Sequence, residues 1–292
     1  MGAQMLKVDF IEGRRWLVDA TGSLITPIRS FCELAGSLRG DNAFIAASGS
    51  SARDFPWSKY NGYPFIAMNG SIVACVENNI VPKFYLCDDE SFARDRFALA
   101  LLGLERAQNV AMSLEVLSSL HAAQPGCLDG RSVFLLERVN RFIDRKRLSD
   151  RAYAWSIRND QDLISQFSLI RKSPNRVGFS LNLDKGYFVA RTIPYVALQL
   201  CYQLGCRRNF LIGVDLSRGG GRFYEAGTDV LPTSLDEDFD KYILPSFLWM
   251  RRRVVSAGFQ VFNLSPISRL PETLFPRLTD NELESMLESS EH

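Results

Sequence analysis

Short apolar runs recur along the chain from Asn42 onwards, and longer amphipathic stretches separate several of them. The runs are continuous rather than alternating, which is typical of strands buried on both faces of a parallel sheet. Strand-like runs that alternate with helix-like stretches indicate an α/β sandwich. The pattern predicts seven strands, at Ala43–Ala47, Phe65–Met68, Phe84–Cys87, Val110–Met112, Val133–Leu136, Phe210–Val214 and Val261–Leu264.

Helix signals are clearest in the second half of the chain. Pro194–Leu204 begins with a proline, which fits the first turn of a helix, and Gly205 follows it as a natural stop. Apolar side chains recur along one face of this segment. We predict two further helices, from Tyr242 to about Ala257 and over Glu282–Glu288.

Residues 138–151 break this rhythm with a run of basic side chains. Six Lys or Arg residues stand against Asp144 and Asp150, with apolar residues between them. A solvated helical face is the usual structure of such a run. The excess positive charge instead favours a surface for a phosphorylated, acidic acceptor, helped by anionic lipid headgroups. The basic residues are Arg138, Arg141, Arg145, Lys146, Arg147 and Arg151.

This break divides the chain into predicted regions. We expect residues 41–136 and 178–278 to form one α/β domain, with a mostly parallel, Rossmann-like sheet and helices on both faces. Residues 137–177 are predicted to form a smaller helical lid inserted into that domain. Residues 1–40 are interpreted as an N-terminal extension and residues 279–292 as a C-terminal tail.

Composition narrows the class of protein. The 292 residues are 46% hydrophobic and 23% charged, and a net charge of +1 gives no overall field for nucleic acid. The six cysteines contain no CxxC pair, so neither a disulfide framework nor a zinc site is indicated. No signal-like N-terminus is present, and no run approaches the ~20 apolar residues of a membrane span. We therefore expect a cytoplasmic protein that can rest on the surface of the inner membrane.

The loops after the apolar runs are candidate binding sites, because ligands of parallel sheets gather beyond the carboxyl ends of the strands. Ser48–Ser51 is small and contains Gly49, so its backbone N–H groups can approach a phosphate. Asn69-Gly70 offers an amide for a nucleobase edge or a phosphate. Gly213–Asp215 places a carboxylate where ribose hydroxyls are commonly held. Each loop taken alone is more often a simple turn or helix cap.

Asp88 and Asp89 follow the third apolar run. Two adjacent carboxylates can bind a divalent cation or act as a base, and either one can instead cap a helix that begins near Ser91.

The chain lacks the Gly-Lys-Ser/Thr phosphate loop, the GxGxxG fingerprint and the GxSxG elbow. These absences disfavour a dinucleotide-dependent oxidoreductase.

The order of these motifs resembles two related groups of bacterial glycosyltransferases. Phe44–Ser51, Phe65–Gly70 and Thr192–Tyr224 are similar to segments of the Campylobacter-type CMP-sialic-acid sialyltransferases. The likeness is closer to the lipopolysaccharide-core transferases that add a third 3-deoxy-D-manno-octulosonic acid (Kdo) residue. It covers about half of the chain, near 42–95 and 178–278. The closer likeness rests on Asp89 with Phe92, Gly186-Tyr187, Asp215-Leu216, Arg222–Tyr224, Leu231-Pro232 with Ser234, and Asn263–Pro266.

The resemblance implies a GT-A-like nucleotide domain with a lid, and an inverting transfer of a 2-keto sugar acid from its CMP conjugate. It also implies that Thr192 lies at the junction of cytidine and sugar, and that Tyr224 donates to the leaving phosphate. The remaining nucleotide contacts are assigned to the loops. Ser48, Gly49, Ser51, Asn69 and Gly70 would serve the phosphate or ribose, and Gly213 with Asp215 would hold the ribose.

The chain departs from the sialyltransferase pattern where those enzymes place a histidine base. No histidine lies between Glu225 and Ser246, and His121 is predicted on a helix surface. Ile193 replaces the serine that holds the sugar carboxylate, and Ser217 replaces a phosphate-binding tyrosine. The prediction therefore names Asp89 as the base, with three alternatives, and two arginines as partners of the sugar carboxylate. The alternatives are Asp88, Asp236 and Asp238, and the arginines are Arg191 and Arg222.

The sequence thus predicts an inverting glycosyltransferase that moves Kdo from CMP-Kdo to a lipopolysaccharide inner-core or lipid A acceptor. The alternatives are a CMP-sialic-acid sialyltransferase and a nucleotide-binding protein without transferase activity. Neutral donors can stabilise a leaving phosphate, so no metal site is predicted, and enhancement by Mg²⁺ or Mn²⁺ stays open. The expected partners are the donor, the acceptor and a membrane surface, but not nucleic acid.

Overall fold

A ten-stranded sheet organises the computed structural model, which describes residues 5–143, 145–217, 221–225 and 235–288. The strands are β1 (Lys7–Ile11), β2 (Arg14–Val18), β3 (Leu24–Arg29), β4 (Asn42–Ala46), β5 (Phe65–Met68), β6 (Phe84–Cys87), β7 (Val110–Met112), β8 (Val133–Leu135), β9 (Leu163–Ser165), β10 (Gly178–Ser180), β11 (Arg208–Ile212) and β12 (Gln260–Asn263). The helices are α1 (Ile72–Glu77), α2 (Glu90–Asp95), α3 (Phe97–Arg106), α4 (Leu114–Ala123), α5 (Asp150–Ser156), α6 (Ile193–Leu204), α7 (Leu235–Asp238), α8 (Leu244–Arg253) and α9 (Asp280–Glu288).

The strands that follow β4 in the chain are added to the sheet first on one side of β4 and then on the other. Its strand order is β1-β2-β3-β8-β7-β6-β5-β4-β11-β12, and every pair from β3 to β12 is parallel. From β4 the chain adds β5 to β8 on one side, and later adds β11 and β12 on the other. The loops after β4 and β11 therefore diverge, and this opens a crevice at the carboxyl edge of the sheet.

The buried sheet confirms the main prediction from the apolar runs. All seven predicted strands are present, as β4 to β8, β11 and β12, with bounds within two residues of those predicted. In β4, Ala43 and Ile45 belong to one core, whereas Phe44 and Ala46 belong to the other. Helices α6 and α8 cover the first face, and α1, α3, α4 and α9 cover the second. The protein is therefore a mixed α/β structure with helices on both faces.

The two ends of the chain join this architecture. The antiparallel hairpin β1–β2 leads into β3, which pairs in parallel with β8, so residues 7–29 extend the main sheet. At the other end, Leu283 and Leu287 of α9 are buried in the second core. Neither segment is therefore a separate appendage within the described residues.

The helix predicted at Pro194–Leu204 is confirmed as α6, but its environment differs from the prediction. Gly205 ends it in the left-handed conformation, at φ +86°. Ten of its twelve residues are buried, so it is covered almost all round rather than on one apolar face. Helix α8 is shorter than the predicted helix and follows a π-helical segment, Phe239–Ile243.

The basic insertion is largely not helical, contrary to the prediction. Within its described part, only α5 is an α-helix, and β9 pairs with β10 as a small antiparallel ribbon. Asn140 explains the break, because it adopts φ +61° and its side chain bonds both Leu148 N and Leu148 O at 2.8 Å. These bonds close a loop where the charge run suggested a helix. None of the helices in the described ranges is both long and apolar enough to span a bilayer.

Gln199 connects α6 to the segment that enters the crevice. Its side chain is fully buried, and Oε1 accepts from Ser180 N and Phe188 N at 2.9 Å each. Nε2 donates to Phe188 O and Tyr195 O at 2.9 and 3.1 Å. A buried amide thus holds β10 and residues 187–190 on the helix.

We expect Gln199→Leu to lower the free energy of unfolding by roughly 2–5 kcal/mol, because two buried N–H groups lose their acceptor. Urea unfolding measures this loss. The matched control is Gln108→Leu, whose exposed side chain should change stability by less than ~0.5 kcal/mol. Equal stability of the two variants would contradict the role given to Gln199.

Candidate active site

A cleft of about 720 Å³ lies at the carboxyl edge of the sheet. Its walls come from the ends of β4, β5, β6, β8 and β11, from the start of α6 and from the insertion. Nine of the twelve residues predicted as site residues line it: Ser48, Gly49, Asn69, Asp89, Arg191, Thr192, Gly213, Asp215 and Arg222. The other three lie outside the lining: Ser51 bonds Asp215, and Gly70, which follows Asn69 in the chain, lies against the Tyr224 ring.

Asp215 joins the two loops that diverge at the crevice. Its side chain is buried, and Oδ2 accepts from Ser51 N at 3.0 Å and from Ser50 Oγ at 3.3 Å. Oδ1 accepts a short bond from Ser51 Oγ. Gly49 N donates to Gly213 O at 2.9 Å. The predicted ribose-binding carboxylate therefore braces the Ser48–Ser51 loop, and Oδ1 keeps one further acceptor position.

Glycine at position 49 is required by this close approach. A Cβ on Gly49 would overlap both Gly213 O and the Asp215 carboxylate. Gly213 itself adopts φ +66°, a conformation that favours glycine, and lies against the backbone of Ala47. The two glycines thus allow the ends of β4 and β11 to meet closely enough for the Asp215 bonds to form.

Asn69, Gly70 and Tyr224 form a second unit at the end of β5. Asn69 adopts φ +46°, and its side-chain Oδ1 is buried without a hydrogen-bond partner among the described residues. The Tyr224 hydroxyl is likewise buried, and within the described ranges it has only a weak interaction, with Ser48. A Cβ on Gly70 would overlap the Tyr224 ring. Asn69 and Tyr224 thus lie on either side of Gly70, and each has a buried polar atom with unused hydrogen-bonding capacity.

Burial raises the pKa of Tyr224 to about 12. The positive charges of Arg222 and Arg96 and a weaker interaction with the Ser48 side chain lower the pKa, but by less than burial raises it. A tyrosine with a raised pKa stays protonated at neutral pH. Its hydroxyl is therefore available as a neutral hydrogen-bond donor.

The two adjacent aspartates have different environments. Asp89 is exposed and caps α2, where Oδ1 accepts from Ser91 N at 2.9 Å and Phe92 N at 3.3 Å. The capping role considered in the sequence analysis is thus present, while Oδ2 receives no hydrogen bond within the described residues. Asp88 is more buried and bonds Arg138 Nη2 at 2.6 Å. Burial raises the pKa of Asp88, and Arg138 opposes this shift.

The two predicted arginines both line the cleft. Arg191 is exposed, has φ +59° and lies 5.2 Å from the ring centroid of Tyr242. Arg222 pairs through Nη1 with the buried carboxylate of Glu225 at 2.6 Å. The next residue after Arg191, Thr192, occupies the N-cap of α6 without a side-chain cap bond. The amino terminus of this twelve-residue helix therefore offers positive potential to the cleft.

Backbone strain concentrates in this cleft. Six non-glycine residues in the described part of the chain have positive φ, and three of them line the cleft. Arg191 and Leu216, at +59° and +57°, are not residue types that tolerate this conformation easily. Unfavourable backbone geometry of this kind persists where function requires it, so it marks the cleft as a functional site. The third residue is Asn69.

Sequence reasoning missed Glu137 and the position of Arg138. Glu137 lies two residues after β8, lines the cleft and pairs with Arg15 of β2 at 2.7 Å. Arg138 also bonds Tyr187 Oη at 3.1 Å, so it belongs to the cleft rather than to a solvated helix. Inspection of the residue after each strand could have found both, because Glu137 stands at a strand end like Asp88.

Other predicted residues lie as follows. His121 is on α4 and does not line the cleft, but it is half-buried with a buried Nδ1 and is not the helix-surface residue that was predicted. Asp238 lines the cleft, whereas Asp236 pairs with Arg269 at 2.7 Å. Leu231-Pro232 and Ser234 fall outside the described residues, as does Asp144. Within the described ranges, no group of three or more His, Cys, Asp or Glu side chains is arranged to hold a metal ion.

We expect Gly70→Ala to lower the free energy of unfolding by roughly 1–3 kcal/mol, because the added methyl group displaces the Tyr224 ring. Gly62→Ala is the matched control, since a Cβ there has no neighbour within 4 Å. Urea unfolding of both variants measures the difference. Unchanged stability of Gly70→Ala would show that the ring is not held against this glycine.

Two solved glycosyltransferase structures align with most of this chain at low identity. A Maf glycosyltransferase from Magnetospirillum magneticum AMB-1 aligns over 88% of this chain and 38% of its own, with 15% identity and a TM-score of 0.48. The sialyltransferase CstII from Campylobacter jejuni, solved with cytidine-5'-monophosphate, aligns over 82% of this chain and 86% of its own. Its identity is 11% and its TM-score 0.42.

Sequence relatives give a more definite result. A Salmonella typhimurium protein described as "Probable 3-deoxy-manno-octulosonic acid transferase" is 28% identical over 257 residues, covering 86% of this chain and 92% of that protein. An Escherichia coli K12 protein of the same description is 27% identical, covering 81% and 82%. The family described as 3-deoxy-D-manno-octulosonic acid transferase WaaZ matches residues 30–281. The chain is a glycosyltransferase and belongs to the WaaZ family of 3-deoxy-D-manno-octulosonic acid transferases.

Proposed function

We propose that the protein transfers Kdo from CMP-Kdo to an acceptor in the lipopolysaccharide inner core, with inversion at the anomeric carbon. Family membership supports Kdo as the sugar. CMP as the carrier follows from the motif resemblance. The observation that carries the proposal is the switch-point cleft itself, where Asn69 Oδ1 is buried without a partner in the described part of the chain. The Tyr224 hydroxyl is buried just behind this lining, next to Gly70 and Ser48.

The nucleotide is proposed to lie across the ends of β4, β5 and β11. Ser48 and Asn69 would contact the phosphate or ribose, with Gly49 and Gly70 allowing close approach. Gly213 and the remaining acceptor position of Asp215 would hold the ribose, while Ser51 keeps Asp215 oriented. Thr192, at the amino terminus of α6, would face the junction between cytidine and sugar. This placement uses the crevice that the strand order opens.

The sugar carboxylate is proposed to bind an arginine of the cleft. Arg191 is exposed there, and a guanidinium can bind a carboxylate through two parallel hydrogen bonds. Arg222 is the alternative, although its Nη1 is engaged with Glu225. Ile193 and Ser217 also line the cleft, so the serine and tyrosine of the sialyltransferase pattern are absent from their positions. That substitution favours Kdo over sialic acid.

The departing phosphate requires a donor where negative charge develops. Tyr224 supplies a protonated hydroxyl, because its pKa is raised to about 12. A neutral donor placed at a developing oxyanion lowers the barrier without a proton transfer of its own. We therefore assign Tyr224 the stabilisation of the leaving CMP.

We expect Tyr224→Phe to lower kcat by ~10²–10³, the usual effect of removing one oxyanion donor. Stability should be almost unchanged, because among the described residues the hydroxyl loses only a weak interaction with Ser48. Tyr202→Phe, at a half-buried tyrosine outside the cleft, is the control. A Tyr224→Phe enzyme with wild-type kcat would remove this residue from the mechanism.

The acceptor hydroxyl needs a base, and Asp89 is proposed for that role. It lines the cleft, and its Oδ2 is not engaged by any described residue. Asp88 is bound to Arg138 and is proposed to orient that arginine.

Asp89→Asn separates catalysis from helix capping, because asparagine caps as well as aspartate but cannot accept the proton. We expect kcat to fall by ~10²–10⁴ with an unchanged melting temperature. Asp89→Ala should lose the same activity and, in addition, ~1 kcal/mol of stability. Full transfer by Asp89→Asn, together with loss of transfer by Asp88→Asn, would assign the base to Asp88 instead.

The insertion over residues 137–177 is proposed to act as a lid and to receive the acceptor. Arg138, Arg141 and Ile143 line the cleft, so the beginning of the insertion forms part of its wall. Arg141 is well suited to a phosphorylated sugar, since a guanidinium binds phosphate through two hydrogen bonds. Acceptor selection would then depend on this wall.

A donor screen tests the proposal. Purified enzyme is incubated with an inner-core lipid A acceptor and either CMP-Kdo or CMP-sialic acid generated in place, with and without Mg²⁺ or Mn²⁺. Mass spectrometry should show the mass of one Kdo added only with CMP-Kdo. Transfer of sialic acid alone would make the protein a sialyltransferase. Binding of the nucleotide without any transfer would leave a binding protein.

A further inference from the structure

Most of the insertion, from residue 145 to residue 177, carries excess positive charge. It contains eight Lys or Arg residues and three Asp residues. All three carboxylates are paired, since Asp150 bonds Arg176 at 2.5 Å and both Asp160 and Asp162 lie 2.9 Å from Lys185. Arg171 and Lys172 are exposed and form no ion pair with any described residue. Their charge is therefore available to an external partner.

Large apolar side chains accompany these cations. Ile170 is 92% exposed and Leu169 is 70% exposed, immediately before Arg171 and Lys172. Trp155 of α5 is 52% exposed, and its ring lies 5.2 Å from that of Phe167. The Arg158 guanidinium stacks 3.9 Å from the centroid of the Trp155 ring. We call Trp155, Phe167, Leu169 and Ile170, with Arg158, Arg171 and Lys172, the docking surface.

The loop that presents Leu169 and Ile170 is held in place by a buried side chain. Asn175 is 4% exposed; its Oδ1 accepts from Ser168 N at 2.8 Å, and its Nδ2 donates to Ser168 O and Arg171 O at 3.0 Å each. Ser168 Oγ also accepts from Arg171 N at 3.0 Å. Four hydrogen bonds thus hold the loop in a conformation that exposes the Leu169 and Ile170 side chains to water. That arrangement is unfavourable for an isolated protein and suits a surface that becomes covered.

We propose that the docking surface binds an anionic lipid bilayer. Aliphatic side chains can enter the boundary between headgroups and acyl chains, where tryptophan also prefers to lie. Arg171 and Lys172 would meet the negative headgroups beside them. Positive charge around an apolar centre is complementary to such a membrane. A protein interface, in contrast, is usually depleted of lysine at its core.

This inference rests on the proposed function in one respect: membrane binding would bring the cleft to an acceptor that is anchored in a membrane. The docking surface is separate from the cleft, because none of its residues lines that cavity. Binding to lipid can therefore be measured without donor or acceptor. Absence of Kdo transfer would leave that measurement unaffected.

The test is flotation of the full-length chain with vesicles of phosphatidylcholine alone or mixed with phosphatidylglycerol. We expect partition into the anionic vesicles only, and weaker partition as the NaCl concentration rises. The double variant Leu169→Ser/Ile170→Ser should partition at least about tenfold more weakly, because it loses two apolar side chains from the membrane boundary. Arg171→Glu/Lys172→Glu should lose the preference for anionic vesicles.

The matched control is Phe10→Ser/Val81→Ser, which replaces two apolar residues of similar exposure on other elements. It should bind vesicles like the wild-type protein. Equal melting temperatures would show that each variant is folded. No binding of the wild-type chain to anionic vesicles, or unchanged binding by Leu169→Ser/Ile170→Ser, would overturn the proposal. A wild-type dimer that this variant converts to monomer, without vesicle binding, would assign the surface to self-association and also overturn it.

Discussion

The Asp215 carboxylate connects the ends of β4 and β11, and the geometry of the cleft depends on that connection. It is buried, and three hydrogen bonds from Ser50 and Ser51 satisfy most of its acceptor capacity. A charge in this position would be unfavourable without such partners. Gly49 and Gly213 make the bonds attainable, because a side chain at either position would collide with the opposite loop. One carboxylate therefore holds together the two loops that the strand order forces apart.

Next to the loops that Asp215 holds together, the cleft contains polar groups with unused hydrogen-bonding capacity and residues with strained backbone conformations. Asn69 Oδ1 is buried without a partner in the described part of the chain, and the buried Tyr224 Oη has only a weak interaction with Ser48. Arg191 and Leu216 retain strained backbone conformations. Each feature is unfavourable for folding alone, and all of them gather at one edge of the sheet. Such a concentration is expected where a protein is preorganised for a charged ligand. A nucleotide phosphate has the oxygen atoms that the Tyr224 hydroxyl can bind.

Seven of the strands could be predicted from the sequence, because buried parallel strands are continuous apolar runs bounded by turns. The strands β1 to β3, β9 and β10 carry no such run and were not predicted. The loops at the ends of the seven strands followed from the same rule, and the family resemblance was confirmed. Charge and apolar patterns failed where specific side-chain contacts decide the structure. The charge run at 138–151 indicated a helix, but Asn140 closes a loop with Leu148. Likewise, only the folded chain shows that Arg15 reaches Glu137.

The role of Asp215 shows the same limit at the site. Its position after β11 indicated a ribose contact, but its bonds to Ser50 and Ser51 depend on residues more than 160 positions away in the chain. The central claim is that this braced cleft binds a cytidine nucleotide, and thermal-shift measurement with CMP, CDP, UDP and NAD tests it most directly. We predict that CMP raises the melting temperature and that UDP and NAD leave it unchanged. Stabilisation by UDP or NAD, but not by CMP, would contradict the account.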